Sequence, residues 1–360
     1  MRPDELAAGI ERILRVSPAL PGRLAGALLI ANPKAGGFTR PTYAHRRNHE
    51  LDEVLAHAGG LEPRPDPPPF VVAITERPGH AASITRSYLA SALRDSGDRE
   101  GYHLMMTAGG DGTSLELATE IMALEPSERA RFLVLRLPLG TGNDGSDGRE
   151  LVTSLGRLLG DCRPVPRPAI RCSPAPGGGK QPLWSFNIAS LGLDAFVAEM
   201  TNRLKVTFPG DSYKFWVDLS TVMYDFFYPV SPMRIRTWDG AGHQLRDFER
   251  KCLLVAVGAS GNRQYGSDKR ILPDANNVCA VSQTGLFSRL AFKGRIERGL
   301  HSGLPIVDLF SAARITIDSP APLLFQADGE VLRLEPGDFP FTFDVEPDSY
   351  QVLEGSSAWR

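Results

Sequence analysis

The chain has 360 residues, with 40 Lys and Arg against 42 Asp and Glu, and its formal net charge is −2. A balance this close to neutral argues against a protein that relies on a broad basic surface, such as a general nucleic-acid binder or a polybasic membrane anchor. The length predicts two domains, and a hydrophobic content of 42% can build two cores. We therefore expect a globular protein that binds no nucleic acid.

Several features together predict a cytoplasmic protein. The four cysteines contain no C-x-x-C pair, which is typical of free thiols in a reducing compartment. Residues 1–22 carry charges among their apolar residues and predict a short amphipathic helix, not a signal peptide. No apolar run approaches the roughly 18 residues that span a bilayer.

In the first half of the chain, buried strands alternate with helices. Strands are predicted at 24–31, 70–75, 102–108 and 132–138, because each is a short apolar run bounded by turn residues. Helices are predicted near 43–57, 80–94 and 114–124. This alternation predicts an open α/β domain with a parallel sheet, over residues 1–160.

The second half has strands at short spacing, among them 251–260, 313–319 and 339–347. Helices are predicted only around 211–228 and 289–300. The pattern predicts an all-β domain, an antiparallel β-sandwich, over residues 161–335. Residues 336–360 are expected to form a C-terminal segment that returns to the first domain.

Three glycine-rich turns stand where predicted strands end: NPKAGG (32–37), GGDGT (109–113) and GTGND (140–144). The carboxyl ends of parallel strands share one sheet edge, where helix N-termini and backbone N–H groups face a ligand. Glycine lets the backbone approach a phosphate without a Cβ in the way. The three turns together therefore predict a polyphosphate site.

Two aspartates in these turns, Asp111 and Asp144, would repel a phosphate. A bridging divalent cation such as Mg²⁺ removes the conflict in phosphoryl-transfer sites. A single Asp in a glycine turn is more commonly a solvated turn residue or an N-cap. Three such turns on one sheet edge favour phosphate with Mg²⁺.

A late acidic turn, FQADGE (325–330), lies between two strand-like segments. One interpretation is a hairpin with an Asp-Gly turn, which the spacing permits. The other places Asp328 and Glu330 on the same side of an extended segment, at the mouth of a cleft between the domains. One would then act as general base while the other orients metal or phosphate. The spacing leaves both interpretations open.

Together, NPKAGG, TAGGDGT, LPLGTGND and the late DGE resemble the diacylglycerol kinase catalytic family, which includes bacterial lipid kinases, sphingosine kinases and ceramide kinases. The resemblance covers residues 26–335, because lesser signatures follow in the same order. GGDGT alone is shared with NAD kinases and phosphofructokinases, whereas GTGND with DGE is far more specific. The lesser signatures lie at Thr75 with 79–81, at 187–195, at 205–213, and at 261–266 with 273–275.

The resemblance implies a two-domain kinase of the NAD kinase/diacylglycerol kinase-like fold, with its active site in the cleft between the domains. It implies that the α/β domain binds ATP with Mg²⁺ and that the β domain presents a lipid. The γ-phosphate would pass to a hydroxyl of a diacylglycerol-like or sphingoid lipid, in phospholipid metabolism. Such an enzyme would be cytoplasmic, with peripheral and transient membrane contact. The resemblance leaves open whether the protein forms a homodimer.

The resemblance also assigns roles to residues of this sequence. Glu330 would be the base, with Asp328 beside it, and Asp111 would act through Mg²⁺, with Asp144 as a second metal ligand. The residues that would hold the nucleotide are Asn32, Pro33, Gly36, Gly37, Thr75, His80, Gly109, Gly110, Gly112, Thr113, Thr141, Gly142 and Asn143.

The sequence departs from the family pattern in places. Residues 145–149, GSDGR, replace the usual apolar residue followed by Ala-Arg, which predicts a looser turn. The Asp-Gly pair that some bacterial members use to hold a structural metal is absent after residues 273–275, where residues 276–278 are NNV, so such a metal is not expected. The basic residues Arg40, His45, Arg46 and Arg47 read as a solvated helix face or, alternatively, as a contact for anionic headgroups.

Three other functions share part of this sequence pattern. A NAD kinase-like enzyme shares GGDGT and a β-rich domain but lacks LPLGTGN with DGE. A Rossmann oxidoreductase would use G-x-G-x-x-G at 140–145, yet no helix opens at the third glycine. A non-catalytic nucleotide- or lipid-binding protein would be expected to have lost Asp111 or the late acids, all of which are present.

Overall fold

A computed structural model describes residues 1–20, 23–94, 101–140, 148–207, 224–265, 270–296 and 298–355. The chain forms two compact units: unit 1 is Met1–Arg167 with Asp348–Arg360, and unit 2 is Pro168–Pro347. The sequence predicted boundaries after residues 160 and 335. The chain instead leaves unit 1 within strand β5 (Cys162–Ser173) and returns to it within strand β15 (Phe341–Gly355). Both boundaries therefore lie inside long strands.

Unit 1 contains a parallel sheet with the strand order β15-β4-β3-β1-β2. Its strands besides β15 are β1 (Leu24–Ala31), β2 (Phe70–Ile74), β3 (Tyr102–Gly109) and β4 (Phe132–Pro138). Strands β1, β3 and β4 are buried along nearly their whole length, as expected of parallel strands covered on both faces. The predicted α/β domain with a parallel sheet is confirmed.

Strand β2 differs from the prediction of a buried strand. In the described part of the chain it pairs only with β1, and it forms the edge of the sheet there, where Val71 is 47% and Val72 is 42% exposed. Its apolar run identifies a strand but does not reveal whether the strand is central or at an edge.

Seven helices of unit 1 flank this sheet within the described residues. Helix α1 is amphipathic as predicted and buries Leu6, Ile10 and Ile13 in an apolar core shared with Leu51 and Leu155. A 3₁₀ turn, Arg157–Leu159, follows α7. The helices are α1 (Pro3–Val16), α2 (Gly36–Thr39), α3 (Pro41–Ala58), α4 (His80–Arg94), α5 (Asp111–Met122), α6 (Pro126–Arg129) and α7 (Leu151–Gly156).

Unit 2 is a β-sandwich, as predicted. Strand β9 (Gln244–Gly258) joins its two layers, because its first half pairs with β8 and its second half with β7 and β10. The core between the layers includes Phe325 and Phe341, whose ring centroids lie 4.9 Å apart. The other strands are β6 (Leu183–Ser185), β7 (Ile188–Gly192), β8 (Pro232–Trp238), β10 (Val278–Ser282), β11 (Val307–Phe310), β12 (Arg314–Asp318), β13 (Leu323–Ala327) and β14 (Glu330–Leu334).

Three helices of unit 2, α8 (Leu193–Thr207), α9 (Tyr224–Phe227) and α10 (Leu286–Ile296), contribute to a second apolar cluster. Tyr224 is buried there, whereas Phe226 is 81% exposed. Residues 211–223 of the helix predicted at 211–228 lie outside the described residues. Nowhere in the described ranges is a helix both long and apolar enough to cross a membrane.

Candidate active site

The strand order of unit 1 places two of the predicted turns at a topological switch point. From β1 the chain moves outward to β2, and it then passes to β3 on the other side of β1. In open α/β sheets, ligands bind outside the carboxyl ends of the strands at such a point. The turns at 32–37 and 109–113 follow β1 and β3 there.

The first turn crosses the end of β3 and reaches the end of β4. The Asn32 N–H donates to the Ala108 carbonyl at 2.9 Å, and the Gly37 N–H donates to the Leu139 carbonyl at 2.8 Å. The Asn32 side chain accepts from the Lys34 N–H at 3.0 Å and closes the start of the turn through Pro33. The structure thus brings Asn32–Gly37, Gly109–Thr113 and Leu139 together.

Gly37 was predicted to face a phosphate, but its N–H is already used by Leu139. A Cβ at Gly37 would lie 2.5 Å from the Leu139 Cδ1 and 3.0 Å from its carbonyl oxygen. This glycine therefore permits close packing of the turn, which corrects the prediction for its backbone. Gly36 is also buried and opens α2.

The second turn leaves open space at the start of α5. A Cβ at Gly110 or Gly112 would meet no atom within 4 Å, whereas one at Gly109 would lie 2.6 Å from the Thr113 hydroxyl. Asp111 is the first residue of α5, and the first N–H groups of a helix lack intrahelical partners. Gly110 and Gly112 thus keep an anion-accepting helix terminus accessible.

The turn after β2 is built differently from the prediction. The His80 Nδ1 accepts a hydrogen bond from the Glu76 N–H at 3.1 Å, so this atom closes the turn. Glu116 of α5, which belongs to none of the motifs, accepts from the N–H groups of Gly79 and Ala82 at 2.9 and 3.1 Å. A carboxylate therefore already caps the N-terminus of α4. Thr75 is buried and its N–H donates to Ala31.

Four predicted residues, Thr141, Gly142, Asn143 and Asp144, lie outside the described residues. The chain that follows them is held by a buried ion pair, in which Arg47 Nη1 lies 2.5 Å from Glu50 Oε2. The same Glu50 oxygen accepts from the Leu151 N–H at 2.7 Å, and Arg47 donates to the Arg149 carbonyl at 3.2 Å.

This arrangement removes Arg47 from the residues that could contact lipid headgroups. Arg47 is 4% exposed, and Arg46 pairs with both Glu50 and Glu150 at 2.7 and 2.8 Å. The spacing of Glu50 from the two arginines, four and three residues, was a signal for helical ion pairs.

In unit 2 the late acidic turn is the hairpin that one interpretation predicted. Strands β13 and β14 pair Ala327 with Glu330, which leaves Asp328 and Gly329 as a two-residue turn. Their φ values are 49° and 92°, the conformation of a type I′ turn, which favours Asp-Gly. Asp328 and Glu330 are therefore not neighbours along one extended segment.

The Asp328 carboxylate is occupied by four donors from the segment before β7. Oδ1 accepts from the Ser185 hydroxyl at 2.9 Å and from the N–H groups of Asn187 and Ile188, both at 3.0 Å. Oδ2 accepts from the Phe186 N–H at 2.5 Å. Burial raises the pKa of the Asp328 carboxyl, and these hydrogen bonds act against that rise. The geometry favours a structural role for Asp328 over the catalytic one.

A buried polar network continues from this turn. Gln326 accepts from the Gly329 N–H at 2.9 Å and donates to the Ser190 hydroxyl at 3.0 Å. Asp194 accepts from Ser190 at 2.7 Å and from the Tyr265 hydroxyl. Burial raises the pKa of Tyr265, which keeps that hydroxyl protonated as a donor. Residues of two family signatures, 187–195 and 261–266, thus brace the hairpin.

Glu330 stands in contrast to Asp328. It is the first residue of β14, it is exposed, and in the described part of the chain its carboxylate makes no hydrogen bond or ion pair. A carboxylate that is accessible and held on a braced hairpin has the properties required of a general base.

The metal predictions rest on Asp111 alone, since Asp144 is not described. Within the described ranges, no three His, Cys, Asp or Glu side chains form a cluster suited to a metal ion. Mg²⁺ in phosphoryl-transfer sites takes one or two carboxylates together with substrate phosphates and water. Asp111 at the open helix terminus fits that requirement.

Two family models match the chain. Residues 26–153 match the diacylglycerol kinase catalytic domain, and residues 187–354 match the YegS C-terminal NAD kinase beta sandwich-like domain. The chain thus resembles the diacylglycerol kinase catalytic domain in its first half and the YegS β-sandwich-like domain in its second half. The first match contains Asp111 and all three glycine-rich turns, and the second contains the hairpin with Asp328 and Glu330.

Relatives agree with this assignment. Proteins named "Probable lipid kinase YegS-like" from Yersinia pestis (strain Pestoides F) and Yersinia pseudotuberculosis serotype O:1b (strain IP 31758) are each 24% identical over 231 residues, 63% of this chain and 72% of each relative. A crystal structure of a diacylglycerol kinase from Bacillus anthracis str. Sterne has a TM-score of 0.56 at 18% identity, covering 91% of this chain and 96% of that one. This likeness shows the fold.

Proposed function

We propose that the protein is an ATP-dependent lipid kinase that transfers the γ-phosphate of ATP to a hydroxyl of a diacylglycerol-like or sphingoid lipid. The proposal rests on the different environments of the two acids in the β13–β14 hairpin. Asp328 is locked by four hydrogen bonds, while the neighbouring Glu330 carboxylate is exposed and unpaired in the described part of the chain. The hairpin thus supplies one structural acid and one available base.

In unit 1, the nucleotide phosphates would lie against the turns at 32–37 and 109–113. Gly110 and Gly112 leave the N-terminus of α5 open to them, and Asn32 and Thr113 belong to the same two turns. Mg²⁺, held through Asp111, would neutralise the charge that develops on the transferred phosphoryl group. Positioning and electrostatics supply most of the rate in such reactions, so few reactive side chains are needed.

In unit 2, Glu330 would accept the proton of the acceptor hydroxyl. The acceptor is a lipid, so the enzyme would work at a membrane surface by peripheral and transient contact. Because the net charge is −2, the protein surface as a whole does not attract an anionic membrane, and the contact would be made by a local surface.

The decisive test is incubation of the purified chain with γ-labelled ATP, Mg²⁺ and a panel of diacylglycerol, monoacylglycerol, sphingosine and ceramide, with NAD as a separate acceptor. Label in a lipid supports the proposal. Label in NADP with none in any lipid would establish the NAD kinase-like alternative. ATP binding without transfer to any acceptor would establish the non-catalytic one.

A further inference from the structure

The turn that ends helix α10 exposes an apolar side chain. The Gly299 N–H donates to the Ile296 carbonyl at 2.9 Å and the Leu300 N–H to the Arg295 carbonyl at 2.8 Å, with Gly299 at φ 67°. This is the Schellman pattern, in which the residue after the glycine commonly packs back against the helix. Leu300 is instead 60% exposed.

A buried histidine holds this leucine in place. His301 is fully buried, its Nε2 lies 3.1 Å from the Ile271 carbonyl oxygen, and its ring packs against Phe292 with centroids 6.0 Å apart. Because the next residue is anchored in the core, Leu300 is fixed at the surface by the fold.

Three exposed arginines lie in or beside the turn that carries Leu300. Arg295 and Arg298 belong to the last turn of α10 and the residues after it, and Arg298 donates to the Gly294 carbonyl at 3.0 Å. The stem of Arg270, from another segment, packs so close that a Cβ on Gly299 would lie 3.2 Å from its Cδ. None of the three forms an ion pair among the described residues. We name Arg270, Arg295, Arg298 and Leu300 the Leu300 surface.

Elsewhere on unit 2, exposed arginines pair with carboxylates: Arg234 with Asp247 at 2.7 Å and Arg246 with Asp308 at 3.0 Å. Arginines near a helix C-terminus also stabilise the helix dipole. That effect accounts for Arg295 and Arg298. It does not account for Arg270, which comes from a different segment, or for the exposed leucine.

We propose that the Leu300 surface docks the enzyme on an anionic bilayer, with the arginines against acidic headgroups and Leu300 in the acyl boundary. Cations beside a negatively charged leaflet are attracted to it, and an apolar side chain among them gains by leaving water. This inference rests on the proposed function, because a lipid acceptor resides in a bilayer. The Leu300 surface takes the place of Arg46 and Arg47 as the expected contact for headgroups, because those two arginines are engaged in ion pairs.

The test is co-sedimentation with vesicles of phosphatidylcholine and phosphatidylglycerol in equal amounts, without ATP. Leu300→Glu should weaken partitioning roughly tenfold or more, as expected for lost apolar burial beside added charge. Arg295→Gln and Arg298→Gln should each weaken it about fivefold, and more salt should weaken the wild-type chain. Vesicles of phosphatidylcholine alone should bind much less.

Two matched controls separate this surface from general effects. Leu245→Glu changes another exposed leucine of unit 2, and Arg234→Gln removes the same charge from an ion-paired arginine. Both should bind vesicles as the wild-type chain does. Equal loss in the controls, no loss in Leu300→Glu, or equal binding to neutral vesicles would overturn the proposal.

A protein partner at this surface is tested by gel filtration without lipid. A change of oligomeric state in Leu300→Glu would also overturn the proposal. Because the binding assay needs no turnover, an inactive chain that still partitions through the Leu300 surface would refute the proposed function and leave the docking intact.

Discussion

The Asp328 carboxylate accepts a 2.9 Å hydrogen bond from the Ser185 hydroxyl, although the two residues are 143 positions apart in the sequence. With the three backbone donors that follow Ser185, this contact fastens the β13–β14 hairpin to the segment before β7. The position of Glu330 in unit 2 therefore depends on an acid that need not touch the substrate.

Asp328→Asn should destabilise unit 2 and displace the hairpin. An amide nitrogen in place of Oδ2 would face the Phe186 N–H, so that two donors meet where one hydrogen bond stood. We expect the free energy of unfolding in urea to fall by about 1–3 kcal/mol. The control is Asp247→Asn, whose partner Arg234 is more than half exposed, and only a small change is expected there. A fully stable Asp328→Asn protein would contradict the bracing role.

Glu330→Gln should separate catalysis from folding. The side chain is exposed, so stability and nucleotide binding should not change, while turnover should fall by about 10²–10⁴-fold because a general base is lost. The comparison variant is Glu249→Gln, another exposed glutamate of unit 2, which should keep full activity. Loss of nucleotide binding in Glu330→Gln would leave the base role unsupported.

Much of the fold could be predicted because local signals are strong in unit 1. Apolar runs placed β1 at 24–31 and β4 at 132–138 with the bounds that the structure has. The edge position of β2 could not be predicted, because it depends on which strands pair with it. The predicted start of α5 at residue 114 was three residues late, since the glycine turn itself opens the helix at Asp111.

The site was predicted less completely, for a physical reason. Motifs reveal residue types but not which atoms are already engaged. Gly37 and Gly112 look alike in sequence, yet one N–H is used by Leu139 and the other residue borders open space. Likewise, Asp328 and Glu330 are two acids of one motif, and only the hydrogen bonds across the sandwich distinguish them.

Asp111→Asn should abolish turnover with the fold retained. A carboxamide binds Mg²⁺ far more weakly than a carboxylate, and the metal's contribution of several kcal/mol corresponds to a loss of roughly 10³-fold or more. Turnover is followed across a Mg²⁺ titration, with circular dichroism as the check on folding. Asp52→Asn, an exposed aspartate on α3, serves as the control and should behave as wild type. A mutant that keeps most of its activity would refute the metal assignment.

Glu50→Gln should be strongly destabilising, because it leaves Arg47 buried without its counter-charge and weakens the cap on Leu151. Removal of one partner of a buried pair costs about 3–5 kcal/mol. Urea unfolding measures the loss. Glu150→Gln, which breaks only the half-exposed contact with Arg46, should change stability little. Equal effects from the two variants would show that burial of the Arg47 pair is unimportant.

Two glycine-to-alanine changes should have opposite effects on stability. Gly37→Ala places a methyl group 2.5 Å from Leu139, and overpacking of this kind costs about 1–3 kcal/mol. Gly112→Ala meets open space within helix α5 and should gain up to about 1 kcal/mol from helix propensity.

Gly112→Ala should nevertheless raise the KM for ATP, because its methyl group enters the space proposed for the phosphates. Thermal unfolding and steady-state kinetics on the same preparations give both quantities. A Gly112→Ala protein with an unchanged KM would show that the phosphates do not approach this turn. If alanine were poorly tolerated in glycine turns in general, both variants would lose stability. A Gly112→Ala protein that gains stability but has a higher KM for ATP therefore indicates that ATP approaches this turn.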